Sequence, residues 1–424
     1  MIDIIPSILI FSGVRGDTRR YRSFHLYEQT RLLGLDSYLS HVTDREFRKK
    51  VEHSSIVFLH RAAYNKQIAW LEREIHQNNG LLIQDIDDLL FEPNAFKYIQ
   101  SIDFSDPVRS TLYQEEMHLY YKTLQASDFV TTSTGYLAER VRELGKPVKV
   151  HRNAFSLEML DRSEKFFQTK GRNDSGFVIG YASGTPTHNQ DFALIKPALI
   201  SILNHFSNVE LWLVGPVDPG NDWGNFENRI RHLNLVPWRD LPEILARFDI
   251  NLAPLRTDNP FGQSKSEIKY MEAALVRVPT IASPSDAFKS AIKHADTGFL
   301  ASDVPEWEYS LETLICQPEL RQHMGQAAFQ DVMNLYHPAV RAKELIEILT
   351  GFVGNKYELS ITSTPDVNLK FNSTLSYWSS AQAEKFPSLL QMGLYTIRYR
   401  GLLVLLKQIW IYLRRLTAPF IPYK

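Results

Sequence analysis

The sequence contains one cysteine, Cys316, in 424 residues. A disulfide framework and a cysteine zinc site are therefore excluded, and a reducing, cytoplasmic setting fits best. Long apolar runs are also lacking. No stretch reaches the roughly 18 uninterrupted apolar residues that a membrane-spanning helix needs. Residues 1–10 are apolar but have no basic lead and no small-residue cleavage site, and they run straight into Gly13-Val14-Arg15-Gly16. They read as a buried first strand rather than a signal peptide. There is no excess of charge of either sign: 47 Lys and Arg stand against 48 Asp and Glu. The overall balance thus offers no case for a nucleic-acid partner.

What is present is an ordinary globular composition, 44% apolar and 22% charged, at a length that allows two domains plus extra structure. Short apolar runs alternate with helical patterns, the signature of βαβ units around parallel sheets. In the first part, residues 7–11, 56–59, 81–83, 129–132 and 148–151 read as strands. Residues 21–33, 66–78 and 112–125 read as helices. A polar segment over 164–175 reads as a linker. A second series follows, with strands at 177–181, 210–214, 250–254 and 279–282. Its helices are expected at 191–205, 241–247, 266–275 and 338–349, the last closing the domain. The expected division is a first domain over 1–155, a second over 176–350 and a tail over 357–424.

Physical chemistry singles out several loops. Ser264 and Glu267 have capping-box spacing, which predicts a helix starting near Lys265. The free N–H groups and positive dipole end of such a helix suit a diphosphate, and Lys265 adds a full charge there. Glu272 would lie two turns deeper on nearly the same face, where a carboxylate can accept hydrogen bonds from ribose hydroxyls. The alternative is an amphipathic helix with both groups merely solvated. Residues 180–192 read as a strand, a loop of small and polar residues and a helix opening near Asp191, a phosphate-cradling order. His188 in that loop is either functional or held by a structural hydrogen bond. In the first domain, Asp85, Asp87 and Asp88 follow a buried strand, where carboxylates are expensive unless used or paired. Asp85 and Asp87 match an Asp-x-Asp metal pattern, and Asp87 or Asp88 could instead cap a helix or pair with Arg61.

The run Phe261 to Ala274, followed by Val278-Pro279-Thr280-Ile281-Ala282-Ser283, resembles the nucleotide-binding core of the retaining, GT-B-fold glycosyltransferases of family 4. Its Lys-Ser-x-x-Lys-x-x-Glu pattern looks like a branch of that family. The resemblance extends over about residues 7–350. It departs from the common pattern at Ser264, where the family's first glutamate would stand, and at Arg277, where glycine is frequent.

The resemblance implies an α/β architecture of two facing Rossmann-like domains with the active site between them. A nucleotide-diphosphate sugar would bind mainly to the second domain. Its site would comprise Gly184, Thr185, His188, Gly215, Pro237, Ser264, Lys265, Ser266, Lys269 and Glu272. Trp238, beside Pro237, is either near the base or ordinary packing. A loop with Gly13, Gly16, Arg19 and Arg22 would lie under the diphosphate and the acceptor, and Arg20 adds to its charge. Asp87, Asp88 and Lys265 are the expected catalytic groups. No cofactor or metal is expected, because the cations would neutralise the leaving group. An epimerase or phosphorylase on the same fold, or a non-catalytic nucleotide-sugar binder, are the rival readings.

Beyond a Ser-, Thr- and Asn-rich loop over 360–376, residues 386–424 are aromatic and basic, with no acidic residue. Trp410 and Tyr412 sit among leucines with Lys407, Arg414 and Arg415, a mixture suited to a headgroup boundary. The tail is expected either to dock on a membrane surface, which would suit a lipid-linked saccharide acceptor, or to pack back onto the first domain.

Overall fold

The computed structural model of the protein describes residues 7–14, 17–99, 107–168, 176–185, 188–354, 357, 359, 361–371 and 388–417. It contains two six-stranded parallel sheets. The first comprises β1 (Ile8–Ser12), β2 (Ser37–His41), β3 (Ile56–His60), β4 (Leu81–Ile86), β5 (Phe129–Thr132) and β6 (Val148–Val150), in the order β2-β1-β3-β4-β5-β6. The second comprises β7 (Phe177–Ala182), β8 (Val209–Val214), β9 (Ile230–Leu233), β10 (Ile250–Ala253), β11 (Thr280–Ala282) and β12 (Phe299–Leu300), ordered β12-β11-β10-β7-β8-β9. The inner strands are mostly apolar because helices cover both faces. In β1, alternate residues go to opposite layers: Ile8 and Ile10 pack in one core with Phe58, and Leu9 and Phe11 in the other with Leu59. The strands that pattern alone did not reveal are β2, β9 and β12, each at a sheet edge. Edge strands are short and part-covered, so they carry no apolar run; β2 reads Ser-Tyr-Leu-Ser-His.

Three other expectations change. The helix expected over 191–205 is two helices, Asn189–Ala193 and Lys196–His205, with Pro197 in the first turn of the second. Proline is tolerated at that position but not inside a continuous helix. The expected linker is helical in its first part, because Leu157–Gln168 is an amphipathic helix that buries Leu157 and Met159. The helix Pro338–Val353 does not close the second domain. Its Ala342, Leu345 and Leu349 lie in the first sheet's core beside Ile8, Ile56 and Phe58, and Phe352 stacks on Phe129 with ring centroids 4.3 Å apart. The face of the first sheet left open by its own helices is thus filled by the chain returning from the second sheet.

The tail forms two helices, Leu389–Arg400 and Leu402–Thr417, and the first opens with a capping box of Ser388 and Gln391. They pack on the first sheet's side: Asn65 Nδ2 donates to the Tyr395 hydroxyl at 2.8 Å, Arg400 pairs with Glu116 at 3.7 Å and Lys407 with Glu115 at 3.3 Å. Among the described residues, no helix is long and apolar enough to cross a membrane.

Glu28 sits where the helix His25–Leu32 meets the chain passing between the sheets. It is buried and accepts from the Leu157 amide at 3.2 Å. Burial, reinforced by nearby Glu158, pushes its carboxyl up to about 8 from an ordinary 4.5. A raised acid favours the fold while it is protonated. Its contribution is whole below about pH 4.5 and is lost as pH rises through about 8. Glu28→Gln, neutral at every pH, should therefore melt progressively higher than the wild type as pH rises. The gap should widen by at least about 1 kcal/mol. A gap independent of pH in thermal denaturation would remove Glu28 as its source.

Candidate functional site

Parallel sheets present their loops at the carboxyl ends of the strands, and ligands of such folds bind there. The two sheets meet along these ends. The segment after β1 is helical from Asp17 to Leu32, but Arg20–Phe24 winds as a π-helical turn. One extra residue in the turn redirects consecutive side chains, and such insertions recur at functional sites. Here Arg22 enters the core while Tyr21 and Arg20 face the second sheet. The Tyr21 hydroxyl donates to Glu272, and the Arg20 guanidinium lies 3.7 Å from the same carboxylate and 4.9 Å over the Trp238 ring.

Arg22 is fully enclosed. Its Nε donates to Asp85 at 2.8 Å, and one terminal nitrogen donates to the His151 carbonyl at 2.8 Å and Asn153 Oδ1 at 3.1 Å. Thr131 donates to Asp85 at 2.7 Å. Burial pulls the guanidinium down, but Asp85 outweighs it and holds Arg22 above its ordinary value. Asn153 in turn donates from Nδ2 to Ser266 Oγ at 2.9 Å. The buried pair is thereby tied to the loop before the Ile268–Leu275 helix. Arg22 is not a cleft cation as the sequence implied. Arg19 is also buried, lying 4.8 Å over Phe24, and burial draws it down to about 10. Arg20 is the arginine of the three that reaches the second sheet's side.

The residues after β3 and β4 form a second cluster. Arg61 holds a left-handed backbone, φ +44°, uncommon for a non-glycine residue and found where surroundings over-determine it. Its Nε donates to Asp87 Oδ1 at 2.7 Å, one terminal nitrogen to Asp87 Oδ2 at 3.0 Å, and the same nitrogen to Asp88. The arginine pairing weighed as an alternative for these carboxylates is therefore what forms. His60 Nε2 lies 3.5 Å from Asp87. Burial works to raise the Asp87 carboxyl, but Arg61 and His60 together hold it below the usual range, so it stays ionised. Gly13 packs against this cluster: a Cβ there would sit 2.1 Å from the Arg61 carbonyl. Gly16 lies outside the described residues. Asp88 has a second partner, Lys265 of the opposite half, whose Nζ is 2.8 Å from Oδ1.

The loop around Lys265 departs from the expected capping box. Ser264 Oγ donates to the Phe261 carbonyl at 2.7 Å, closing a short turn capped by Asn259. Glu267 accepts from the Tyr336 hydroxyl at 2.6 Å instead of reaching back. With both capping groups occupied, the helix begins at Ile268. Lys265 thus lies in the loop, not on the helix face of Glu272, and extends to Asp88 and over the Phe261 ring at 4.1 Å. Lys269 donates to the Ala182 carbonyl, and burial lowers its ammonium to about 8.

The other expected positions rim the same edge of the second sheet. Gly215 has φ +88°, and a Cβ there would meet the Ser183 carbonyl at 2.1 Å, so glycine lets the ends of β7 and β8 meet. Gly184 and Thr185 are exposed, with Ser183 Oγ donating to the Thr185 carbonyl at 2.9 Å. His188 Nδ1 lies 2.8 Å from Asp191, whose other oxygen accepts from the Arg256 amide at 2.8 Å. This is the structural hydrogen bond weighed for His188. Pro237 is exposed in a turn closed by the Asp240 amide at 2.9 Å. Arg277, where relatives often have glycine, takes φ +56° just past the helix end. It compensates by lying 3.8 Å over Phe167 and 3.9 Å over Phe329 while pairing with Glu164 at 2.8 Å.

Among the described residues, no group of three or more His, Cys, Asp or Glu is gathered for a metal. His60, Arg61 and Tyr21 had not been read as site residues. The first two directly follow a strand whose end was visible, so position alone could have flagged them. Tyr21 depends on the π-helical turn and carried no such signal.

Asp85→Asn should leave Arg22 charged in a dry interior. Breaking one partner of a buried pair costs about 3–5 kcal/mol. Urea denaturation should show a loss of that size. A loss under about 1 kcal/mol would mean that water reaches the pair.

Residues 176–317, which span the whole second sheet, match the family model described as glycosyl transferases group 1. No curated protein matches the sequence. Among solved structures, a glycosyltransferase from Rickettsia africae ESF-5 superposes with a TM-score of 0.59 at 14% identity, over 83% of this chain and 100% of that one. HepE of Anabaena, solved in complex with UDP, gives 0.57 at 14% identity, over 81% and 100%. Sucrose-phosphate synthase from Thermosynechococcus elongatus gives 0.55 at 12% identity, over 82% and 98%. Residues 176–317 thus resemble a glycosyl transferases group 1 domain, and the chain has a GT-B fold of two parallel six-stranded sheets.

Proposed function

We propose that the protein transfers a sugar, with retention, from a nucleotide-diphosphate donor to the hydroxyl of a saccharide or lipid-linked saccharide. The observation that carries this reading is the Lys265–Asp88 contact of 2.8 Å. Here a lysine of the second half, read as the donor-side cation, meets a carboxylate of the first half, read as the acceptor-side group. The family match over 176–317 and the UDP held by Anabaena HepE support a nucleotide-diphosphate donor.

In this reading the bond between the anomeric carbon and the diphosphate oxygen breaks, and its electron pair leaves with the nucleoside diphosphate. The acceptor oxygen bonds to the same carbon on the same face, and its proton passes to the departing phosphate or to water. Lys265 exchanges Asp88 for the diphosphate and stabilises the charge that builds there. Lys269, held near 8 by burial, is kept charged by the same anion. Glu272 exchanges the Tyr21 hydroxyl for ribose hydroxyls. Asp88, released by Lys265 but still paired with Arg61, orients the acceptor hydroxyl. Asp87, ionised and gripped by Arg61, positions that arginine and is a weak base. With lysines on the leaving group, the scheme assigns no step to a metal. Ligand exchange at Lys265 and Glu272 requires the cleft to open and reclose, and closure limits competing hydrolysis.

Lys265→Ala should cut the release of nucleoside diphosphate by roughly 10²-fold while changing donor affinity less. Glu272→Gln should do the reverse, weakening donor affinity by about tenfold with the melting temperature preserved. Wild-type turnover in the first variant, or wild-type affinity in the second, would remove that residue from the scheme.

The tail supports placement at a membrane surface in the synthesis of cell-surface glycans. Packed on the first sheet's side, it still leaves Leu389 75%, Leu390 74% and Leu403 67% exposed. Exposed aliphatic residues beside Arg398, Lys407 and Trp410 suit anionic headgroups. Full-length protein should float with anionic liposomes, and a variant carrying Leu403→Glu and Leu406→Glu should not. Protein that stays at the bottom of the gradient in both cases would make the tail purely structural.

A further inference from the structure

Between the first sheet's side and the two tail helices lies a cavity of about 610 Å³, within the roughly 300–1,000 Å³ range of small-molecule sites. Phe11, Ala62 and Ile68 form one wall, and Met392, Ile397 and Leu405 the other. The ties of Asn65 to Tyr395 and Glu116 to Arg400 join the two walls. The space is a partly open groove, since Leu390, Leu394 and Ile397 on its tail side are exposed, and its apolar walls lack packing partners across it. Gly13 and Arg61 belong both to this cavity and to the candidate site. Arg61 thus borders the cavity on one side and pairs with Asp87 and Asp88 on the other. Elsewhere it is bounded by the tail helices, whose exposed leucines lead toward solvent or a membrane.

We propose that this cavity is a subsite for the aliphatic chain of an amphiphilic acceptor whose polar head lies at Arg61, a proposal that rests on the glycosyltransferase reading. Three features select that occupant. The walls are mainly apolar and the polar Asn65, Tyr395, Glu116 and Arg400 already pair with one another, so a sugar's hydroxyls would find few partners. An aliphatic chain needs no partner there. Arg61, already holding two carboxylates, would set the head beside Asp88, where the acceptor hydroxyl is required. The tail helices then have a second role beyond any docking, since they form half of the chain's enclosure.

The test uses the full chain and n-alkyl β-glucosides of increasing length, kept below micelle formation, in titration calorimetry. Affinity should rise by about fourfold for each added methylene and level off once the cavity is filled. Ala63→Trp, which projects into the space, should abolish that rise while leaving UDP binding and the short-chain affinity unchanged. Met392→Trp, from the opposite wall, should do the same and serves where the first variant lowers the melting temperature. Affinity independent of chain length in the wild type would overturn the proposal. So would an undiminished rise in both variants, which would put the chain on the exposed leucines instead. UDP binding, followed in the same samples, separates the two ideas. UDP binding without chain-length dependence sinks the subsite and spares the transferase reading. Chain-length dependence without UDP binding overturns that reading and with it the acceptor role of the chain.

Discussion

Arg22 lies in the interior of the first half with its charge intact, and Asp85 at the end of β4 is what allows this. The pair does not stand alone. Thr131 supports Asp85 from β5, the His151 carbonyl and Asn153 take the other guanidinium donors, and Asn153 continues to Ser266 in the second half. One buried ion pair thus links three strand ends, the helical segment after β1 and the loop that carries Lys265. Desolvating two charges is costly, and the pair is acceptable only because nearly every donor and lone pair finds a partner. What this arrangement secures is placement: with Arg22 fixed inward, the π-helical turn must direct Arg20 and Tyr21 across the cleft.

The groups that would hold a donor are partnered by the opposite half. Lys265 has Asp88, Glu272 has Tyr21 and Arg20, and Ser266 has Asn153. These polar groups would otherwise face each other across a narrow gap, where an unpaired charge is expensive. Mutual pairing stabilises the closed cleft. In the proposed function, donor binding would exchange these partners for ligand contacts. Arg61 has a comparable double role, since it neutralises Asp87 and Asp88 and also borders the apolar cavity.

The chain crosses between its halves twice, through Leu157–Gln168 and again through Pro338–Val353, and the tail returns once more to the first half. The first sheet is consequently covered by residues from three distant parts of the sequence. One face depends on Ala342, Leu345 and Leu349, and the region above Phe11 depends on Met392 and Tyr395. The tail is therefore integral to the first half, and among the described residues its outer face exposes apolar side chains.

The inner strands of both sheets, the parallel α/β class and the resemblance to a glycosyl transferases group 1 domain were legible because each follows from a local pattern. An apolar run of five residues buried on both faces has few other solutions, and the Ser-Lys-Ser to Glu-Ala-Ala segment is contiguous. The edge strands β2, β9 and β12 were not legible, because half-covered short strands carry no such run, whereas the edge strand β6 was read at 148–151. Nor was the start of the Ile268–Leu275 helix. Ser264 and Glu267 have the right spacing for a cap, but Phe261 and Tyr336 claim them, and Tyr336 is 69 residues from Glu267. The roles of the arginines were decided in the same way. Sequence alone placed Arg19, Arg20 and Arg22 together in one loop. Only the tertiary structure, by spending Arg22 on a carboxylate 63 residues away and inserting a π-helical turn, determined which of them faces the cleft. Local propensity is written in neighbouring residues, whereas the partner of a polar side chain is settled by whatever distant group the packing brings within hydrogen-bond reach.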